Sequence, residues 1–333
     1  MKAAIPHQSH HGQRGIALML VIWILAVLMV IVLSVSFMTK VESRSTIAFK
    51  EGIEEKFIAE AGIERAAEEI MYRKINLGVP IEEGKETKIW KTDGTPNVFS
   101  LENGTCLVRI IDESGKIDIN RVPDILLKGL LTGLGVKDED ADVIVDSIGD
   151  WRDADDFTRL HGAESDYYLS LAVPYKPKNA DFESIEELLL IKGVTPELLY
   201  GNADKPGLQD FVTVYSGNGK INVNAVPKEV LMAIPGMTPE LAGSILDFRK
   251  TTEIRTMTDF QNLVGGAFTA MSPFIAVGEG TTFTVESVGR KSSNKAGYGV
   301  KAVITVASNK FSYLYFRSPW DMSKWKQQEQ EKQ

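Results

Sequence analysis

The chain has 333 residues, 44% hydrophobic and 25% charged, enough for two domains with separate cores. Its formal net charge of −8 gives polyanions no global attraction, and its single cysteine excludes an internal disulfide or a cysteine-built metal cage. Of four histidines only His161 lies beyond residue 11; no Ser/His/Asp set, HExxH motif or phosphate loop is present, so no enzyme is expected.

Residues 16–38, IALMLVIWILAVLMVIVLSVSFM, carry no charge, and these 23 residues are enough to cross a bilayer as one helix. Lys2 and Arg14 precede the run and no acid does, which keeps the N-terminus cytoplasmic and exports the rest, although Lys40, Arg44 and Lys50 weaken the asymmetry. A secretory signal is cut after its apolar run. In QRGIALMLV the cut falls before it, between Gly15 and Ile16, and leaves the helix on the mature chain. This junction resembles the leader of the type IV pilin superfamily, removed by prepilin peptidase; the alternative is an uncut signal anchor. Most members have Glu at the fifth mature position, where this chain has Leu20.

From Val41 to Ile75 there is no proline, and Ile53, Phe57 and Ala61, then Ile63, Ala66, Ala67 and Ile70, recur at helical spacing. A helix over 16–75 would be about 90 Å long. Residues 76–97 read as a loop, and 98–120 as strands around an Asn-Gly turn. Helical text follows to about Tyr200, strand text returns in FVTVYSGNGKINVN, 227–250 is helical, and the end alternates as two or three strands. Cys106 sits in the alternating run TCLVRI and is expected to be a half-buried strand residue.

GKIDIN (115–120) and GKINVN (219–224) are each followed by Val-Pro and a helix, so a helical insertion at 121–207 is expected, both its ends leaving one sheet. The predicted boundaries are a leader at 1–15, a span at 16–38, a helix with first strands at 39–120, the insertion at 121–207, returning strands at 208–320 and a polar tail at 321–333.

LTGLGVKDEDADVIV, IKGVTPELL and IPGMTPELAGSILDF resemble helix-hairpin-helix units, which in nucleic-acid binders present backbone N–H groups to phosphate. Only the first has two hairpin glycines, Gly133 and Gly135; Thr195 and Thr238 stand at the second place in the others. From Ser114 to Lys250 there are 14 Lys and Arg against 23 Asp and Glu, a net of −9, and a field of that sign opposes DNA. A membrane-anchored DNA receptor of a competence system is therefore the lesser alternative to a module for protein contacts.

GDWRDADDFTRLHGAESDYYLS (149–170) gathers Asp150, Asp153, Asp155, Asp156, Glu164 and Asp166. Clustered carboxylates suit a hard cation such as calcium. Counted as an EF-hand from Asp153, Asp155 and Glu164 fall at the third and twelfth places, but Phe157 and Thr158 occupy places that need an acid and a glycine, so it is no EF-hand. The alternative is a solvated acidic turn balanced by Arg152 and Arg159. His161 reads as a surface residue.

Together, the leader, FIAEAGIERA, GKIDIN, DWRDADD with GAESDYY, FESIEELLLIKGVTPEL and GKINVNAVPKEVLMAIPGM resemble the K-type minor pseudopilins of the type II secretion system (general secretion pathway protein K) along essentially the whole chain. The family also lacks the fifth-position Glu. The resemblance implies an α+β pilin-like fold, its long N-terminal helix on an antiparallel sheet, with a large inserted α-helical domain. It implies an inner-membrane anchor, a periplasmic body, and a tip complex with the I and J minor pseudopilins above the major pseudopilin. It also implies calcium in the insertion, with Asp150, Asp153, Asp155, Glu164 and Asp166 as ligands. Ser165 and the Phe157-Thr158 pair depart from the family's more polar pattern.

Overall fold

The computed structural model describes residues 13–76, 89–102, 104–202, 205–291, 297–307 and 310–321. The leader before Gln13, most of the predicted 76–97 loop, Asn103 of the Asn-Gly turn and the tail after Asp321 lie outside them. The chain divides into two units, the second beginning at Lys56.

Helix α1 spans Gln13–Asn76 and contains no proline, so no backbone bond is forfeited along it. In the first unit every residue from Ile16 to Lys50 is exposed. This stretch includes the charge-free run, the part of α1 long and apolar enough to cross a membrane. Beyond the run, the Thr39 and Thr46 hydroxyls bond back to the Val35 and Glu42 carbonyls at 2.9 and 3.0 Å.

From Lys56 onward α1 is amphipathic: Ile58, Ala59, Ile63, Ala66, Ala67 and Ile70 are buried at the spacing of one face. Phe57, expected in that stripe, is 62% exposed. The face consists of adjacent pairs four residues apart, 58/59, 62/63 and 66/67, and position 57 falls outside it. The stripe packs on a sheet that opens with β1 (Asn97–Leu101) and β2 (Gly104–Asp112), an antiparallel hairpin. A Cβ on Gly62 would strike Ser287, Cys106 and Val108, so glycine lets the helix lie close on the strands. Cys106 is fully buried, deeper than expected, with its sulfur 3.2 Å from Ser287 Oγ. Burial pushes its thiol up to about 11, which leaves it inert as a nucleophile.

After Asp112 the chain leaves this sheet until residue 282. The intervening elements are β3 (Ile117–Asp118), α2 (Asp124–Gly133), α3 (Asp138–Arg152), α4 (Ser165–Leu169), α5 (Pro196–Tyr200), β4 (Val212–Thr213), β5 (Ile221–Asn222), α6 (Lys228–Met232), α7 (Pro239–Thr251), α8 (Met257–Val264), α9 (Phe268–Met271) and β6 (Ile275–Ala276). The predicted insertion of 121–207, with GKINVN rejoining the sheet, is thereby corrected. β3 pairs in parallel with β4 and β5 in parallel with β6, and neither ladder belongs to the main sheet. One apolar core runs from Ile117 to Ile275, and the insertion is 113–281.

The repeated motif does the same work twice. Asp118 and Asn222 each accept, through Oδ1, the N–H two residues on, at 2.9 and 3.0 Å. Asn120 then clamps Phe182, accepting its N–H at 2.8 Å and donating to its carbonyl at 3.0 Å. Asn224 clamps Ile254 in the same way, at 2.9 and 2.8 Å. Each Asp/Asn-x-Asn thus turns a strand into a helix and pins a distant backbone segment.

The chain returns as β7 (Thr282–Arg290), β8 (Tyr298–Ala307) and β9 (Lys310–Arg317), giving the antiparallel order β1-β2-β7-β8-β9. Fully buried Asp112 fastens the junction: its carboxylate accepts from Ser114 N and Oγ, Asn222 Nδ2 and Gly280 N, all within 3.0 Å.

Candidate functional site

Helix α3 ends at Arg152, where the Asp153 N–H closes the last turn on the Gly149 carbonyl at 3.1 Å. The chain then loops back so that 159–164 lies against the end of α3. Asp150, fully buried, organises this return. Its carboxylate accepts from Ala163 N at 2.8 Å and from Arg159 N at 3.3 Å. Gly162 is required here, since a Cβ would collide with that carboxylate. Lys192, in the turn before α5, donates to the Gly162 carbonyl at 2.9 Å and ties the loop to the second hairpin.

Glu164 is 2% exposed, and neither carboxylate oxygen has a hydrogen-bond partner. Burial first, then the charges of Asp150, Asp153, Asp156 and Asp155, push its carboxyl up to about 7. Asp153 Oδ1 is likewise buried without a partner, and burial and Asp155 raise that carboxyl. Of the five predicted ligands, Asp150, Asp153 and Glu164 are therefore drawn together around the end of α3. Asp155 is exposed and turned to its own loop, accepting from Phe157 N at 3.0 Å; Asp166 lies exposed in the first turn of α4.

No three acidic, histidine or cysteine side chains among the described residues are gathered tightly enough to clasp an ion in this conformation. The unsatisfied oxygens of Glu164 and Asp153 nonetheless fit a hard cation, because burying unpaired carboxylates is costly without one. The cation close to Asp150 and Asp153 is Arg159, its Nε 3.5 Å from Asp150 Oδ1 and 3.9 Å from Asp153 Oδ2. Beneath the loop, Trp151 packs edge-on against Tyr168, with ring centroids 5.5 Å apart, and stacks on Phe182. Arg159, Gly149 and Gly162 complete the loop geometry. In the sequence Arg159 reads only as charge balance, and the one signal of the two glycines is that each lies next to a polar side chain, in GDWR and HGAE.

The hairpin turns at Gly135, Gly193 and Gly236 have φ of 93°, 89° and 84°, as the resemblance requires. Thr195 and Thr238 serve a purpose other than the missing glycine: each caps the next helix, accepting from Leu198 N at 3.2 Å and Leu241 N at 3.3 Å. These hairpins are built for packing.

Models of type II secretion system protein K match residues 99–215 and 221–278, and a PilX N-terminal model matches 14–64. The type II secretion system protein K of Pseudomonas aeruginosa is 30% identical over 265 residues, 75% of this chain and 76% of that one. A putative protein K of Escherichia coli K12 is 25% identical over 203 residues, 57% of this chain and 60% of its own length. Among solved structures, the GspK-GspI-GspJ complex of the enterotoxigenic E. coli type 2 secretion system aligns with a TM-score of 0.59 at 18% identity. That alignment covers 84% of this chain and all of the matched one, a likeness of fold. A long N-terminal helix whose later part packs on an antiparallel sheet is the pilin-like fold, and here it carries a helical insertion. The chain belongs to the type II secretion system protein K family, the K-type minor pseudopilins. Its relatives are structural components of a secretion machine, and the DNA-receptor alternative is not favoured.

Proposed function

We propose that this minor pseudopilin occupies the tip of the periplasmic pseudopilus, in a complex with the I and J minor pseudopilins above the major pseudopilin, and acts structurally, not as an enzyme. The observation that carries this is the 113–281 insertion between two neighbouring strands of a pilin-type sheet. The structural relative was solved in complex with GspI and GspJ, which supports the same partners here. Helix α1 anchors the chain in the inner membrane after prepilin peptidase cuts between Gly15 and Ile16, with the second unit in the periplasm. Leu20 supports an end position: a buried Glu there would need a neighbouring amine as its partner, and leucine needs none.

In this reading calcium is held by Asp150, Asp153 and Glu164, with Asp155 and Asp166 available from the loop and α4. The ion supplies positive charge that the buried carboxylates lack, and binding stabilises the insertion by linkage. Gently solubilised membranes test the assembly: the full chain should co-purify with both I and J partners. Its recovery alone, with both partners expressed in the same membranes, would contradict the proposal.

A further inference from the structure

Resting on the calcium reading above, we propose that Arg159 is a tethered competitor for the divalent cation. Its guanidinium holds the acidic loop closed in the metal-free chain and must swing aside when the ion binds.

Three observations converge. Arg159 Nε lies near both Asp150 Oδ1 and Asp153 Oδ2, at 3.5 and 3.9 Å, so guanidinium and metal compete for the same two carboxylates. The space it occupies is built in: the three nearest atoms to a Cβ on Gly149 would be Nη1, Cζ and Nε of Arg159, all at colliding distance. Glycine at this point of α3 leaves a berth shaped for the guanidinium. Finally, the guanidinium has somewhere to go. Its Nη1 already lies 3.1 Å from Asp124 Oδ2, on a half-exposed carboxylate at the start of α2. Moving outward exchanges Asp150 and Asp153 for Asp124 and solvent without leaving the arginine unpaired.

The neighbouring cations do not share this role. Arg152 donates to the Ile119 carbonyl, at 2.5 Å, with its Nη2 3.9 Å from Asp124 Oδ1, and acts on Asp153 only through its charge, while Lys192 turns to the loop carbonyls. Glu164, buried with both oxygens unpartnered, is the carboxylate that the tethered cation leaves unserved. The Arg159 charge therefore neutralises part of the cluster, and a divalent ion that reaches Glu164 as well can outcompete it. The loop then stays folded before metal arrives, and affinity is lower than the carboxylates alone would give.

Calcium titration calorimetry and thermal melting on the full chain in detergent test this. Arg159→Gln should bind calcium about fivefold tighter or more than wild type, and melt lower in chelator. Gly149→Ala keeps every charge and displaces the guanidinium, and should also tighten binding; it decides the matter if Arg159→Gln fails to fold. Arg121→Gln, which removes one charge from the Asp181 pair, should stay within about twofold of wild type. Wild type that binds, with both loop variants equal or weaker, would overturn the competitor role and leave the calcium reading standing. Absence of binding in every protein would overturn both, whereas a silent wild type with a binding Arg159→Gln variant would support the competitor.

Discussion

Glu113 sits 2% exposed at the exit of the sheet, paired with Lys116 Nζ at 2.7 Å and receiving the Thr284 hydroxyl at 2.7 Å. Burial pushes its carboxyl up, but the Lys116 charge and the hydrogen bonds from Lys116, Thr213 and Thr284 outweigh that and hold it below the usual range. A depressed folded value means that the pair stabilises the fold above about pH 4.5, and that this contribution drains away as pH falls through the lower folded value. Glu113→Ala should cost about 3 kcal/mol at pH 7, by stranding the ammonium. Denaturant melts at several pH values should show the deficit shrinking below about pH 4.5; a pH-independent deficit would contradict the pairing. Gly62→Ala should lose about 2 kcal/mol, because a methyl group has no room between α1 and the strands. Glu164→Gln should have opposite effects in the two media. It removes a buried unpaired charge, so it should melt higher than wild type in chelator and lower in calcium, and equal melting in both would argue against a metal at this loop.

At the scale of elements, the insertion leaves and rejoins neighbouring strands, with Asp112 of β2 opposite Phe283 of β7. Antiparallel neighbours can be joined by a two-residue turn. Replacing 113–282 by Asn-Gly, which joins Asp112 to its partner Phe283, should therefore leave a chain whose sheet still melts cooperatively but which no longer responds to calcium. Loss of strand signal in circular dichroism would show instead that the insertion is needed to hold the sheet. The span, the hairpins, the acidic loop and the terminal strands were legible in sequence, because each has a local periodicity or a turn glycine. The extent of the insertion was not. β3 to β6 are two residues long and pair across 95 residues or 54, and no local pattern names such a partner. GKINVN reads as a second GKIDIN, yet its pairing within the insertion depends on Ile275–Ala276, far along the chain. The acidic loop is readable as carboxylates, while the inward turn of Asp150 depends on the Ala163 and Arg159 N–H groups, and the burial of Glu164 on the fold around it, which composition cannot supply.

The whole molecule comprises an N-terminal helix apolar enough to span a membrane, a pilin-type sheet and an insertion of two similar strand-to-helix modules sharing one core. Repetition has bulk as its outcome: the second Asp/Asn-x-Asn clamp adds α6 to α9 to the core that the first began. A subunit with Leu20 in place of the usual Glu, carrying this mass between β2 and β7, is suited to the end of a fibre and not to its shaft. The most direct measurement is electron microscopy of assembled pseudopili with gold label directed at the insertion. The account predicts label at fibre ends, and label spaced along the shaft would contradict it.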